Sequence, residues 1–308
     1  MRNRTAMTLY RLFLLIPLLL IGACSQAERE ALVTIPGPGK PALWKVTSDK
    51  PGSGTAYIFG TVHALPPGTD WQGPVLDKAI ADSHSLITEV TGLDDKNATA
   101  AIFTQMGISK GLPALDKRIA ADLLDEFELA TGKIAAPAHA MNTMETWAAA
   151  LTIARSMGGD LGLNSAFGVE AVLAQRFRAM DRPHGGLETI TQQFGYFDSL
   201  PEAEQRIMLS AILRDYNDAR ADMQLLLDRW MRGDTDGLLE STQEGIMASP
   251  KLRAVLLDNR NRRWADQAAA MIDSGRKVFI AVGAAHVAGK DGLPALLATK
   301  GYRAERIQ

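Results

Sequence analysis

The sequence predicts an α/β (α+β) fold: a central mixed sheet formed from N- and C-terminal segments, flanked by helices, with a large helical insertion over about residues 97–274. Three observations predict it. Short apolar runs of strand length cluster before the insertion and again after it. Between them, nearly every stretch repeats its apolar residues at helical spacing. Two of the terminal runs also end in the same Gly-x-x-His pattern, as suits two strands serving one edge of one sheet.

Taken in order, the chain opens on Arg2, Arg4 and Arg11, an apolar run Leu12 to Ile21, and the small residues Gly22, Ala23 and Cys24. A basic start, a short apolar centre and a small-residue exit describe an export signal. The run is far shorter than the roughly 20 residues a membrane-spanning helix needs. Ile21-Gly22-Ala23-Cys24 resembles a bacterial lipobox, in which the cysteine is acylated. The expected organisation is a signal peptide over 1–23, a Pro/Gly-containing tether over 24–40 and one domain over 41–308. Ser25 follows Cys24 in place of the aspartate of an inner-membrane retention signal, so the expected location is the cell envelope, at the periplasmic face of the outer membrane.

Leu43–Val46 and Ala56–Phe59 read as strands across a Pro51-Gly52-Ser53-Gly54 turn. Pro74–Ser83 reads as a helix with Val75, Leu76, Ala79 and Ile80 on one face, and Ser85–Val90 as the next strand. Helical spacing then predicts Ile119–Ala130, Thr146–Met157, Phe167–Met180, one long helix Glu202–Met231, and Leu252–Ile272. A short strand is expected at Gly185–Leu187. Lys277–Val282 returns to strand, Leu293–Lys300 to helix, and Tyr302–Ile307 closes the chain as a strand.

Composition narrows the function classes. A 46% hydrophobic and 22% charged chain folds, and a net charge of −2 with only 6% aromatics offers no nucleic-acid surface. Cys24 is the single cysteine, which excludes disulfides within the chain, cysteine zinc sites and cysteine nucleophiles in the domain. No Gly-x-Ser-x-Gly elbow occurs, and Ser274-x-x-Lys277 lacks its companion motifs.

The chemistry concentrates in the two motifs. Tyr57-Ile58-Phe59-Gly60-Thr61-Val62-His63 has its counterpart in Val278 to His286, 223 positions later. In an α/β sheet, loops at strand C-termini line the binding crevice. Gly60 and Gly283 give the backbone room to approach a ligand, and the histidine three residues on reaches the mouth of that crevice. An imidazole there can ligate a metal, shuttle a proton or donate to an oxyanion. His63, His286 and Glu89, at the end of Ser85–Val90, would make a three-ligand set with an open position for water. His84, His139 and His184 lack this context and read as structural or exposed.

With Leu43-Trp44-Lys45-Val46, Phe59-Gly60-Thr61-Val62-His63, Gly186-Leu187-Glu188-Thr189, Asn259-Arg260-Asn261-Arg262 and Gly283-Ala284-Ala285-His286 in view, the chain resembles the TraB/GumN family, which includes the Tiki proteases. Asp291-Gly292-Leu293 and Lys300-Gly301-Tyr302 extend the resemblance to the C-terminus. It implies a fold akin to erythromycin esterases and ChaN-like proteins. For the Tiki branch it implies metal-dependent proteolysis supported by manganese or cobalt; a His/Glu ligand set does not discriminate these from zinc or iron. It also implies roles for Glu170 and Glu188, acidic residues between the motifs, and for Arg260. From the residues alone, Glu170 could cap a helix, Glu188 could serve the start of the helix after it, and Arg260 could orient Glu89 or bind an anionic intermediate. Three readings follow: a metal-assisted hydrolase of a peptide or other small acyl substrate, a metal-free esterase-like hydrolase with a histidine base, or a non-catalytic periplasmic protein binding haem or a peptide.

Overall fold

Leu43–Thr47 (β1) and Thr55–Thr61 (β2) pair antiparallel, with Leu43 opposite Phe59 and Thr47 opposite Thr55. The other strands are Ser85–Val90 (β3), His184–Glu188 (β4), Lys277–Gly283 (β5) and Arg303–Arg306 (β6). They form one six-stranded sheet in the order β4-β3-β5-β2-β1-β6. The four strands β4, β3, β5 and β2 run parallel, while β1 runs antiparallel to both β2 and β6. The sheet is therefore mixed and is closed by the two ends of the domain. The computed structural model describes residues 33, 37–93, 95–134, 138–241 and 245–308, so the leader, Cys24 and most of the tether lie outside the described residues.

Alternation along the central strands explains why both faces are covered. Tyr57, Phe59, Leu86, Phe279 and Ala281 join one apolar cluster with the helical insertion. Ala56, Ile58, Ile87, Val278, Ile280 and Val282 join a second cluster with Trp264, Ala265, Ala268 and Ile272 from one helix and Leu293 and Leu297 from another. A parallel sheet buried on both faces needs continuous apolar strands, which is the pattern β2 and β5 carry. One consequence is that β2, β3, β4 and β5 present their C-terminal ends at a common edge.

The helical expectations need correction at several points. Glu202–Met231 is two helices, Glu202–Arg214 and Ala219–Met231. Asp215-Tyr216-Asn217-Asp218 interrupts it, because short polar side chains compete for backbone hydrogen bonds and favour turns. Leu252–Ile272 is a short helix Pro250–Arg253, a π turn Ala254–Asp258 and a helix Asn259–Asp273. The π turn is closed by the Asn259 N–H donating to the Ala254 carbonyl, one residue wider than α spacing. Apolar periodicity is nearly blind to such a step. The Phe167 segment begins its helix only at Val169, since Gly168 is extended after a 3₁₀ turn Ser165–Phe167. Ile119–Ala130 is helical from Leu124, preceded by two 3₁₀ turns. The last strand is shorter than expected, Arg303–Arg306. Among the described residues, no helix is long and apolar enough to cross a membrane.

Candidate active site

The two Gly-x-x-His segments are neighbours in space because β2 and β5 pair in parallel, with Thr61 opposite Gly283. His63 leaves β2 two residues after its end; His286 sits in the 3₁₀ turn Ala284–Val287 that follows β5. Gly60 makes this packing possible. A Cβ there would come 2.8 Å from Val287 Cγ2 and 3.2 Å from the Ala284 Cα. Trp230 Nε1–H donates to the Gly60 carbonyl from the helical layer at 2.8 Å. The expected ligand-approach role of Gly60 is thus, in this fold, the approach of one motif to the other. Gly283 contributes its N–H, which donates to Glu89 Oε1 at 2.7 Å.

His63 is fixed by the helix Val169–Ala179. The Val169 N–H donates to the Val62 carbonyl at 3.1 Å, and Leu65 and Asn164 form a two-way backbone bridge. Gly168 touches the His63 carbonyl so closely that a Cβ would lie 2.0 Å from it. Glu170, in the first turn of that helix, brings Oε1 to 2.6 Å from His63 Nδ1 and also accepts from the Thr61 hydroxyl. His63 Nε2 and Glu170 Oε2 are buried and have no hydrogen-bond partner among the described residues.

His286 is held by the helix Asn259–Asp273. Its Nδ1 is 2.6 Å from Asn261 Oδ1, its Nε2 is 3.3 Å from Arg260 Nη1, and Trp264 packs on the ring at 4.4 Å between centroids. Arg260 is the hub. Its Nη2 donates to Glu89 Oε2 at 2.6 Å and to Glu188 Oε2 at 3.0 Å, its Nε contacts both Glu188 oxygens at 3.2 Å, and Nη1 donates to the Leu256 carbonyl in the π turn. Glu188, the last residue of β4, also accepts from Tyr196 Oη at 2.9 Å and Trp264 Nε1 at 3.1 Å. Gln193 Nε2 donates to Glu89 Oε2 at 3.3 Å.

The structure therefore gathers His63, Glu89, Glu170, Glu188, Arg260 and His286 at one sheet edge. His63, Glu89, Arg260 and His286 are no more than 1% exposed. Glu188 is a strand end bonded to Arg260, not a charge serving the following helix, and Arg260 orients Glu89 as one of its two readings expected. Outside the cluster, His84 is exposed, and His184 is exposed with Nε2 on the Thr88 hydroxyl at 2.8 Å. The side chain of His139 lies outside the described residues. Sequence reasoning passed over Thr61, Gly168, Gln193, Tyr196, Asn261 and Trp264. The one available signal was helical spacing: Arg260, Asn261 and Trp264 fall within one arc of a helix.

The environment drives the two imidazoles apart. Burial alone would lower the pKa of His63, but the Glu170 carboxylate outweighs it and holds His63 above the ordinary histidine value. Burial alone would raise Glu170, yet His63 and the Thr61 hydroxyl keep it below its ordinary value. His286 goes the other way, well below the ordinary value, through burial and the nearby charges of Arg260 and His63. Burial pushes Glu89 up against the pull of Arg260, His63 and the Gly283 amide. Arg260 stays charged, its burial outweighed by Glu89 and Glu188.

The sequence model of the TraB/PrgY/gumN family matches residues 42–306. The chain belongs to that family. The TraB/PrgY/gumN match takes in every residue of the cluster, from Thr61 to His286, and begins beyond Cys24. No curated protein and no solved structure matches the chain.

The metal that the resemblance implies is tested by where the donors point. Glu89 and His286 both face the Arg260 guanidinium, at 2.6 and 3.3 Å, while His63 faces Glu170. Among the described residues, no three His, Cys, Asp or Glu side chains converge as a ligand set. A cation reaching both Glu89 and His286 Nε2 would meet a guanidinium fixed between two carboxylates. As they stand, with Arg260 on Glu89 and His286 Nε2 and with His63 Nδ1 turned to Glu170, His63, Glu89 and His286 do not converge on one ion.

Proposed function

We propose that this TraB/PrgY/gumN protein is an acid–base hydrolase of a peptide or other small acyl bond, with His286 as the base and His63 as the acid. The observation that carries the reading is the opposed pair of imidazoles: His63 lies 2.6 Å from Glu170, which pushes its pKa up, and His286 is pushed down by burial and by Arg260 at 3.3 Å. Pairs of titratable groups pushed apart in this way mark acid and base assignments. His286 Nε2 takes a proton from water as the water oxygen bonds to the acyl carbon. Arg260 Nη1, now donating to His286, is the donor a developing oxyanion would claim. When the intermediate collapses, the bond to the leaving group breaks and His63 Nε2 delivers its proton to it. His63 and His286 are buried, so admission of substrate to both requires the layer over them to open.

The basic leader and Cys24 support an exported, lipid-anchored setting for this reaction. Labelling with a radioactive fatty acid, lost in Cys24→Ser, is the outcome expected for that anchor.

The test of the reaction uses the full-length chain against matched libraries of peptides and acyl esters. His63→Asn and His286→Asn should each lower turnover by about 100-fold or more, the usual worth of a general acid or base, with unchanged circular dichroism. Wild-type turnover in either variant would remove the assignment. Loss of activity on chelation, restored by manganese or cobalt, would return the metal-assisted reading. A Soret band on haem titration, lost in both variants, would favour a binding protein.

A further inference from the structure

We infer that Asn261 is a positioning residue that sets the tautomer of His286, keeping its proton on Nδ1 and its lone pair on Nε2. This rests on the acid–base reading for its catalytic meaning, but not for its geometry. The backbone carbonyl of Asp291 is an acceptor, and Asn261 Nδ2 lies 2.8 Å from it, so the amide of Asn261 is oriented with its NH₂ toward Asp291. Its Oδ1 must then be the atom 2.6 Å from His286 Nδ1, and two acceptors cannot share that contact without a proton. Nδ1 carries the hydrogen. The opposite nitrogen faces the Arg260 Nη1 donor at 3.3 Å, which requires an acceptor there. Both ring nitrogens therefore specify the same tautomer independently.

The mechanical support for this arrangement comes from one helix. Arg260 and Asn261 contact the two ring nitrogens, Trp264 packs against the ring at a tilt of 46°, and Asn261 is itself buried. Asp291, which orients Asn261, lies five residues beyond His286 in the segment leading to the helix Leu293–Thr299. The turn that carries His286 thus returns to fix the amide that fixes its ring. An isolated imidazole exchanges its neutral tautomers freely; here the wrong one would set Nε2–H against the Arg260 donor and leave Asn261 Oδ1 unpaired. Only the Nδ1–H tautomer leaves Nε2 able to accept a proton from water.

The test is ¹⁵N-detected imidazole NMR on the full-length chain, with Asn261→Leu and Asn261→Asp alongside the wild type. Neutral His286 should show the Nδ1–H pattern in wild type and in Asn261→Asp, which retains the acceptor oxygen. It should shift toward Nε2–H or a mixture in Asn261→Leu. On whichever acyl substrate the wild type turns over, kcat should fall about 10- to 100-fold in Asn261→Leu, the scale seen when such supporting partners are removed, with KM little changed. Asn261→Asp should recover most of it. A wild-type Nε2–H pattern overturns the inference without recourse to any variant, so misfolding of Asn261→Leu cannot shield it. Nδ1–H in a chain that hydrolyses nothing would leave the tautomer standing and remove the hydrolase reading instead.

Discussion

The Arg260 guanidinium lies 2.6 Å from Glu89 and 3.0 Å from Glu188, so one buried cation is shared by carboxylates at the ends of two neighbouring strands. The arrangement ties β3, β4 and the helix Asn259–Asp273 together at the edge where both histidines stand.

Removing that cation should be costly. Arg260→Ala leaves two buried carboxylates without their partner, a change expected to destabilise the fold by about 3–5 kcal/mol. Arg260→Lys keeps the charge but cannot reproduce contacts to Glu89, Glu188, Leu256 and His286 at once, and should lie between. Urea unfolding of the three proteins checks the order, and a wild-type midpoint for Arg260→Ala would contradict it.

Gly168→Ala should disturb the site from outside the cluster. The new methyl would overlap the His63 carbonyl at 2.0 Å, so either that loop or the start of the Val169–Ala179 helix must move. Overpacking of this kind costs about 1–3 kcal/mol, and separation of His63 from Glu170 should lower kcat more than it raises KM. Gly60→Ala meets a valine methyl at 2.8 Å and should be milder. Thermal melts and steady-state kinetics on both variants rank the two effects.

The pH profile should report His63 on its alkaline side. As the acid, His63 must be protonated, and Glu170 holds its pKa above the ordinary value, so activity is lost as pH rises through that raised value. His286 must be neutral, and its lowered pKa keeps it so well into the acid range. Glu170→Gln removes the charge that raises His63 and should move the alkaline limb toward lower pH. A limb that stays in place would detach Glu170 from that role.

Much of this architecture was legible in residue order, and the remainder was not for identifiable reasons. The apolar runs Tyr57–Phe59 and Val278–Val282 announced strands of one mixed sheet, and their shared Gly-x-x-His endings pointed to one edge. That the two strands are direct neighbours is a matter of topology across more than two hundred residues, which spacing does not encode. Glu188 was ambiguous because a short Gly-containing strand ahead of a helix gives little periodicity. Beyond sharing a helical arc with Arg260 and Trp264, Asn261 gave no sign of its contact, because a polar residue beside three arginines resembles a solvated helix face. The break at Asp215–Asp218 and the π turn at Ala254–Asp258 left the apolar stripes almost intact, so the helices around them looked continuous.

The most direct test is an NMR titration of the His63 and His286 rings in the full-length chain. Near pH 6.5, His63 should be the protonated imidazole and His286 the neutral one, and only His63 should lose a proton as the pH rises further. Rings that titrate together near the ordinary histidine value, or a protonated His286 beside a neutral His63, would contradict the division of labour between them.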